Sequence, residues 1–236
     1  MSYLWRDIAP LVSTLASRPM GRRRLLAGLA LSTALAAAGP IGPIGRARAQ
    51  AASATPDGAK QFVQNVAGQA ISIMADKSQP DAQRADRFKT LFDASFDLPV
   101  IGQIVLGRHW QSISDQQRQQ FLILFEQQQV LTWADRFKSY SGQSLSVQSA
   151  TPDENASGRM RVSSQIQQTS GAPIELDWQI VNAKDGWRIV DLAVSNASLA
   201  LTLRQDFDAV LTSNGGKFDS LLAAMQKKID QLKSPA

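Results

Sequence analysis

The sequence contains no cysteine and a single histidine, His109. Without cysteine there are no disulfides, no thiol nucleophile, no cysteine-based zinc site and no lipid-modified cysteine at a processing site. One histidine likewise excludes a histidine-rich metal site. Glutamate occurs only at Glu126, Glu154 and Glu175. No H-E-x-x-H, G-x-S-x-G, P-loop or G-x-G-x-x-G pattern is found. Long apolar runs are also missing. The most extended, Leu25 to Ala38, falls short of the ~20 residues that cross a bilayer.

Basic charge is scarce once its position is considered. The 236 residues carry a formal net charge of +5, which suggests nucleic acid or an anionic membrane as partner. Residues 1–49, however, hold Arg6, Arg18, Arg22, Arg23, Arg24, Arg46 and Arg48 against Asp7 alone. Residues 50–236 keep 18 basic and 19 acidic groups, a net of −1. Arg159, Arg161 and Arg188 form no dense stripe interleaved with aromatics, so nucleic acid is not an expected partner. A composition of 44% hydrophobic and 19% charged residues is that of a globular chain, and residues 50–236 suit one domain.

The basic segment reads as an export signal. Arg22-Arg23-Arg24 precedes the apolar run, Gly39-Pro40 and Gly42-Pro43 break any helix, and Ala47-Arg48-Ala49 supplies small residues at a cleavage site. Consecutive arginines before Leu25-Leu26 resemble a twin-arginine signal, and an ordinary Sec signal is the alternative. Met20, immediately before the basic cluster, is an alternative start. The expectation is a signal peptide over 1–49 and a domain over 50–236, exported to the periplasm as a monomer.

Within that domain, helical and strand periods alternate in blocks. Thr55-Pro56-Asp57 opens a helix carrying Phe62, Val66, Ala70, Ile73 and Met74. Gln79-Pro80-Asp81 opens a second, with Phe88, Leu91, Phe92 and Phe96 on one stripe. Asp97-Leu98-Pro99 starts a short third that Gly107 ends. Ser114 to Gln117 reads as a capping box before a helix over about 115–140. Its apolar positions include Phe121, Phe125, Trp133, Phe137 and Tyr140; Gln116, Gln117, Gln119, Gln120, Gln127 and Gln128 on the opposite face read as solvated surface.

After Gly142 the period becomes 2. Leu145-Val147, Met160-Val162, Ile174-Leu176-Trp178-Ile180 and Trp187-Ile189 alternate with polar residues, separated by turn-rich segments. This predicts an antiparallel meander of about four strands whose buried face needs a helical cover. From Asn196 the helical period returns, broken by Gly215-Gly216. The fold class is α+β, with helices, a sheet and C-terminal helices in that order.

Reactive groups are sparse. His109 beside Trp110 is a candidate base, with a structural role at a helix end as the alternative. Asp177 and Asp191, on neighbouring strands, are a candidate acid/base pair or simply bond to turn and backbone groups. The concentration of aromatics and aliphatics on both layers fits either a filled core or an apolar cavity; periodicity does not separate the two.

The order of several motifs carries a resemblance. Phe92-Asp93-Ala94-Ser95-Phe96-Asp97, Val105-Leu106-Gly107-Arg108-His109-Trp110, Ser114 to Phe121 with Phe125, Tyr140-Ser141-Gly142 and Val162-Ser163-Ser164 come in sequence. Gly186-Trp187-Arg188-Ile189-Val190-Asp191 and Ser198-Leu199, followed by Arg204 and Phe207, complete the set. Over residues 85–215 the chain resembles the MlaC (toluene-tolerance) family of ABC-transporter auxiliary proteins, with a hopanoid-associated HpnM-like branch as a neighbour. It departs where Leu-Ala-Val-Ser-Asn, residues 192–196, replaces the more usual Val-x-Val-x-Gly.

The resemblance implies a non-enzymatic periplasmic carrier. It would shuttle phospholipid between an inner-membrane ABC/MCE complex and an outer-membrane lipoprotein complex, maintaining outer-membrane lipid asymmetry. No cofactor or metal is implied; the lipid is cargo. The acyl chains are expected against Phe92, Phe96, Ile101, Val105, Phe125, Trp133, Phe137, Val162, Leu176, Trp178, Ile180 and Ile189. An enzyme with a polar-floored pocket, acting on a small apolar substrate, is the reading from a different class.

Overall fold

The computed structural model describes residues 55–138, 140, 142–154, 156, 158–168 and 171–234, so the expected signal peptide lies outside the described residues. Helix α1 (Pro56–Ala75) begins as its sequence dictates: Thr55 Oγ1 accepts from the Gly58 amide at 3.2 Å, and proline occupies the first helical position. Helix α2 spans Asp81–Ser95 and α3 spans Leu98–Leu106. A one-turn helix α4 (His109–Ser112) precedes α5 (Asp115–Phe137). The capping box at Ser114 is complete, with Gln117 Oε1 accepting from the Ser114 amide at 3.1 Å and Ser114 Oγ from the Gln117 amide at 3.2 Å.

Strands β1 (Ser144–Pro152), β2 (Arg159–Gln167), β3 (Ile174–Ala183) and β4 (Gly186–Val194) form the expected meander. A two-residue β5 (Ala197–Ser198) adds a fifth member, giving the order β1-β2-β3-β4-β5 with every pair antiparallel. Helices α6 (Leu199–Ser213) and α7 (Phe218–Lys233) follow. The fold is α+β, and no described helix is long and apolar enough to cross a membrane.

The cover that the sheet required is α1. Its buried Ala59, Val63, Val66 and Ala67 lie on Val162, Leu176, Trp178, Ile180, Trp187 and Ile189. Each fully buried Val or Leu there contributes about 1.5–3 kcal/mol. A second core joins α3, α5, α6 and α7 around Phe121, Phe125, Phe207 and Leu221. A third, smaller one gathers Ile73, Met74, Phe88, Phe92 and Val130.

Phe96 corrects the sequence reading of α2. It does not continue the helical stripe; it is the C-cap residue, extended at φ −105° and ψ 142°. Its backbone bridges to Ile189 in parallel, and the Asp97 amide donates to the Ile189 carbonyl at 2.9 Å. This closes part of the edge of β4, which β5 pairs only at Ala193 and Val194. The following Pro99 leaves Asp97 as N-cap, and its carboxylate accepts from the Val100 amide at 3.1 Å. The ladder shifts register between Gln179 and Ile180 opposite the same stretch of β4, where Ile189 and Val190 are both fully buried.

Two glycines set helix spacing. A Cβ at Gly102 would lie 2.8 Å from Leu122 Cδ2, so its absence lets α3 lie against α5. Gly107 ends α3 at φ 50° and ψ −122°, a conformation that requires glycine, and a Cβ there would overlap the Arg204 guanidinium of α6.

Candidate functional site

The expected lipid-contacting residues fall into the three cores. Val162, Leu176, Trp178, Ile180 and Ile189 occupy the sheet core; Ile101, Val105 and Phe125 belong to the four-helix core; Phe92 lies in the small one. The side chain of Phe137 lies outside what is described. Phe96 and Trp133 are partly buried and lie between cores. Phe96 packs against all three and stacks on Phe92 with centroids 4.3 Å apart, and Trp133 packs against the sheet core and the small core. Leu98 and Leu199 extend this seam. The arrangement is an apolar junction between helices and sheet whose central members still have exposed area.

Polar groups within this interior are few. Trp178 Nε1 donates to Ser164 Oγ at 2.8 Å, which explains why a serine from the Val162-Ser163-Ser164 motif is only 2% exposed. Trp187 Nε1 is buried and has no hydrogen-bond partner. Gln128, placed by sequence on a solvated face, turns its Oε1 inward, where it is buried and also lacks a partner. The neighbouring Gln129 is 9% exposed. Gln128 lies on the same side of the helix as Gln117, eleven residues earlier, so its burial is set by what packs over this part of α5 and not by the helical period. A separate surface cleft lies between α5 and α7, lined by Gln120, Leu124, Asp219, Leu222, Ala223 and Gln226.

The candidate catalytic groups are engaged locally. Asp191 is a capping device: its Oδ1 accepts from the Leu192 and Ala200 amides at 2.8 and 3.0 Å, and its Oδ2 from Ser198 Oγ. Asp177 lies opposite Ala193, not Asp191, and accepts from Ser163 Oγ. His109 Nε2 lies 2.8 Å from Asp208 Oδ1 on the surface between α4 and α6, with Arg108 Nη2 at 3.2 Å from the same oxygen. That hydrogen bond from His109, opposed by desolvation and aided by the charge of Arg108, holds the Asp208 carboxyl below its usual range. Among the described residues no group of three or more His, Cys, Asp or Glu is arranged to hold a metal ion.

Two polar features were not singled out by sequence reasoning. Arg136, in the last turn of α5, lies with its guanidinium carbon 5.3 Å from the Trp133 ring centroid. Burial pushes it down to about 10, with neighbouring Asp135 opposing the shift. Arg84 is 9% exposed and structural: it donates to the Asp76 and Gln79 carbonyls at 3.3 and 3.0 Å and pairs with Asp81, holding the α1–α2 turn. The i,i+3 spacing of Trp133 and Arg136 on one helix was available as a signal for this contact.

Comparison with known proteins supplies the identification. A curated relative from Haemophilus influenzae, described as the intermembrane phospholipid transport system binding protein MlaC, is 27% identical over 138 residues. The match covers 57% of this chain and 63% of that protein, so the chain spans less than two thirds of the relative's length. A solved structure of a phospholipid-binding protein from Ralstonia solanacearum, in complex with a phospholipid, superposes with a TM-score of 0.63 at 20% identity. It covers 75% of this chain and 99% of that one, and so shares the fold. The profile described as MlaC protein matches residues 64–227, most of the described chain, and the protein therefore belongs to the MlaC family.

Proposed function

We propose that this protein is a periplasmic phospholipid carrier that holds acyl chains along the seam joining its helices to its sheet. The observation that carries the proposal is the position of Phe96 and Trp133: large apolar side chains, partly exposed, at the meeting of separate cores. The twelve residues named from the sequence remain the expected contacts, with Phe96 and Trp133 at the centre. Parting the layers along this seam exposes an apolar lining on both sides. Each acyl methylene buried there contributes about 0.8 kcal/mol, so two chains of about 16 carbons represent on the order of 20 kcal/mol of aversion to water. A carrier overcomes that barrier by shelter alone, without covalent chemistry. An exported chain cleaved near Ala49 would work between an inner-membrane ABC/MCE complex and an outer-membrane lipoprotein complex, binding each transiently.

The test is mass spectrometry of lipid extracted from protein purified from its own cells. The expected result is glycerophospholipid at about one molecule per chain. Lipid-free protein that also takes up nothing from phospholipid vesicles overturns the proposal. A polycyclic lipid in the extract would move the assignment to the hopanoid-associated branch.

A further inference from the structure

The interior face of α5 changes character along its length. At about 100° per residue, Phe125, Gln129, Thr132 and Arg136 fall within an arc of about 60°. The same rotation places Ile123, 64% exposed, on the outer side of the helix. The first half of this inward stripe is aromatic, with Phe121 and Phe125 fully or almost fully buried. The second half is polar: Gln129 is 9% exposed, and Arg136 is half-buried against Trp133. On the adjoining side of the same stretch, Gln128 Oε1 is buried without a hydrogen-bond partner. Buried polar groups are normally satisfied, so this acceptor oxygen marks a polar position within the interior. Trp133 joins the stripe to the apolar seam, because it contacts the sheet core while supporting Arg136 on its ring face.

We propose that the C-terminal end of α5, with Arg136 held on Trp133 and Gln129 about two turns before it on the same face, forms the subsite for the phosphate and glycerol oxygens of the bound lipid. This rests on the carrier reading above and deepens it by stating which end of the seam receives the polar part of the cargo. A guanidinium suits this role because it stays charged where an ammonium is readily neutralised by burial, and its planar fork matches two phosphate oxygens. The lowering of Arg136 to about 10 still leaves it cationic at neutral pH. The Gln129 amide nitrogen supplies donors for glycerol ester oxygens, and Trp133 leads from there to the apolar seam that holds the acyl chains. The cargo class is accordingly a phospholipid with a free phosphodiester oxygen, in preference to a diacylglycerol or a polycyclic alcohol.

The test loads the full chain, stripped of lipid, from vesicles doped with dioleoylphosphatidylglycerol or with dioleoylglycerol, which share acyl chains and differ in the phosphate. The native protein is expected to take up the phosphodiester about tenfold better, the order contributed by one charge-assisted hydrogen bond. Arg136→Gln should lose most of that ratio through weaker phosphatidylglycerol uptake, with dioleoylglycerol uptake unchanged. Arg136→Lys should fall between and shift the phosphorus resonance of the bound lipid. If Arg136→Gln does not fold, the lysine variant decides alone, and a resonance and ratio identical to the native protein's overturn the subsite. An unchanged ratio in a folded Arg136→Gln overturns it as well. Inorganic phosphate bound through Arg136, with lipid uptake indifferent to that residue, assigns the chemistry to a free anion and refutes the lipid subsite. Native protein that takes up neither lipid refutes the carrier reading itself.

Discussion

At the scale of single residues, the departures from the family pattern are where backbone geometry is most informative. Ser195 and Asn196 form the two-residue turn between β4 and β5, with φ values of 48° and 66°. Positive φ at both central positions is what a type I′ hairpin turn requires, and glycine is favoured at the second. Asn196 takes the second of these positions; asparagine is among the non-glycine residues that best tolerate this conformation. Asn196→Gly is therefore expected to hold or raise stability by up to about 1 kcal/mol, measured by urea denaturation. A clear loss would mean that the asparagine side chain has a role beyond the turn.

The two indoles of the sheet show a related limit of residue-scale reading. Trp178 and Trp187 both lie on core-facing positions of the meander, as their alternation implied. Only Trp178 has its N–H bonded, to Ser164 across the ladder. Alternation assigns the face of each ring, but not whether a hydroxyl on the neighbouring strand lies within reach. That depends on register.

At the scale of elements, the caps and breakers did what their chemistry requires. Thr55, Asp97, Ser114 and Ser198 each cap the helix they precede. The sequence did not disclose what lies beyond the cap. Gly107 ends α3 as its position implied, yet its conformation also admits Arg204 of α6 against its backbone. Gly107→Ala is expected to cost about 1–3 kcal/mol in chemical denaturation, from backbone strain and displacement of that arginine. A neutral result would show that α3 can end in an ordinary conformation.

The contact between α4 and α6 adds a pH dependence with a defined sign. Because His109 and Arg108 hold Asp208 below its unfolded value, its contribution is fully present above the usual carboxylate range. It is lost as pH falls through the lowered value. Asp208→Asn should thus be less stable than the native chain at pH 7, and the difference should shrink below about pH 4. Asp206 has the opposite sign, since burial raises its carboxyl, so Asp206→Asn should not be destabilising at neutral pH. Paired urea titrations at pH 7 and pH 3 test both; the exposure of Asp208 makes the first effect small.

At the scale of the whole molecule, three cores meet at Phe96. Truncating it removes contacts from each core at once and loosens the junction of α2, α3 and β4. Phe96→Ala is expected to lose about 2–4 kcal/mol, toward the lower part of the range for large core truncations because the ring is only partly buried. The native chain should unfold in one transition followed by tryptophan fluorescence and circular dichroism alike, and the variant should separate the two probes. Coincident transitions in the variant would show that the cores are coupled mainly elsewhere. The same junction is where the proposed cargo lies, so lipid should protect the native chain more than the variant.

The sequence by itself determined the order of the longer helices and of the four main strands, most caps, the core-facing side of those strands and the family resemblance later borne out by the profile match; the one-turn helix α4 and strand β5 were not in it. These are consequences of local propensity and of the 3.6- and 2-residue periods, which act between near neighbours in the chain. Only the tertiary structure decided how that apolar surface is divided among cores. It turned Phe96 out of its helix onto Ile189 and carried Gln128 and Gln129 inward. Each of these depends on the register, rotation and distance between elements far apart in sequence. Periodicity says which way a side chain faces; packing between elements decides what it meets.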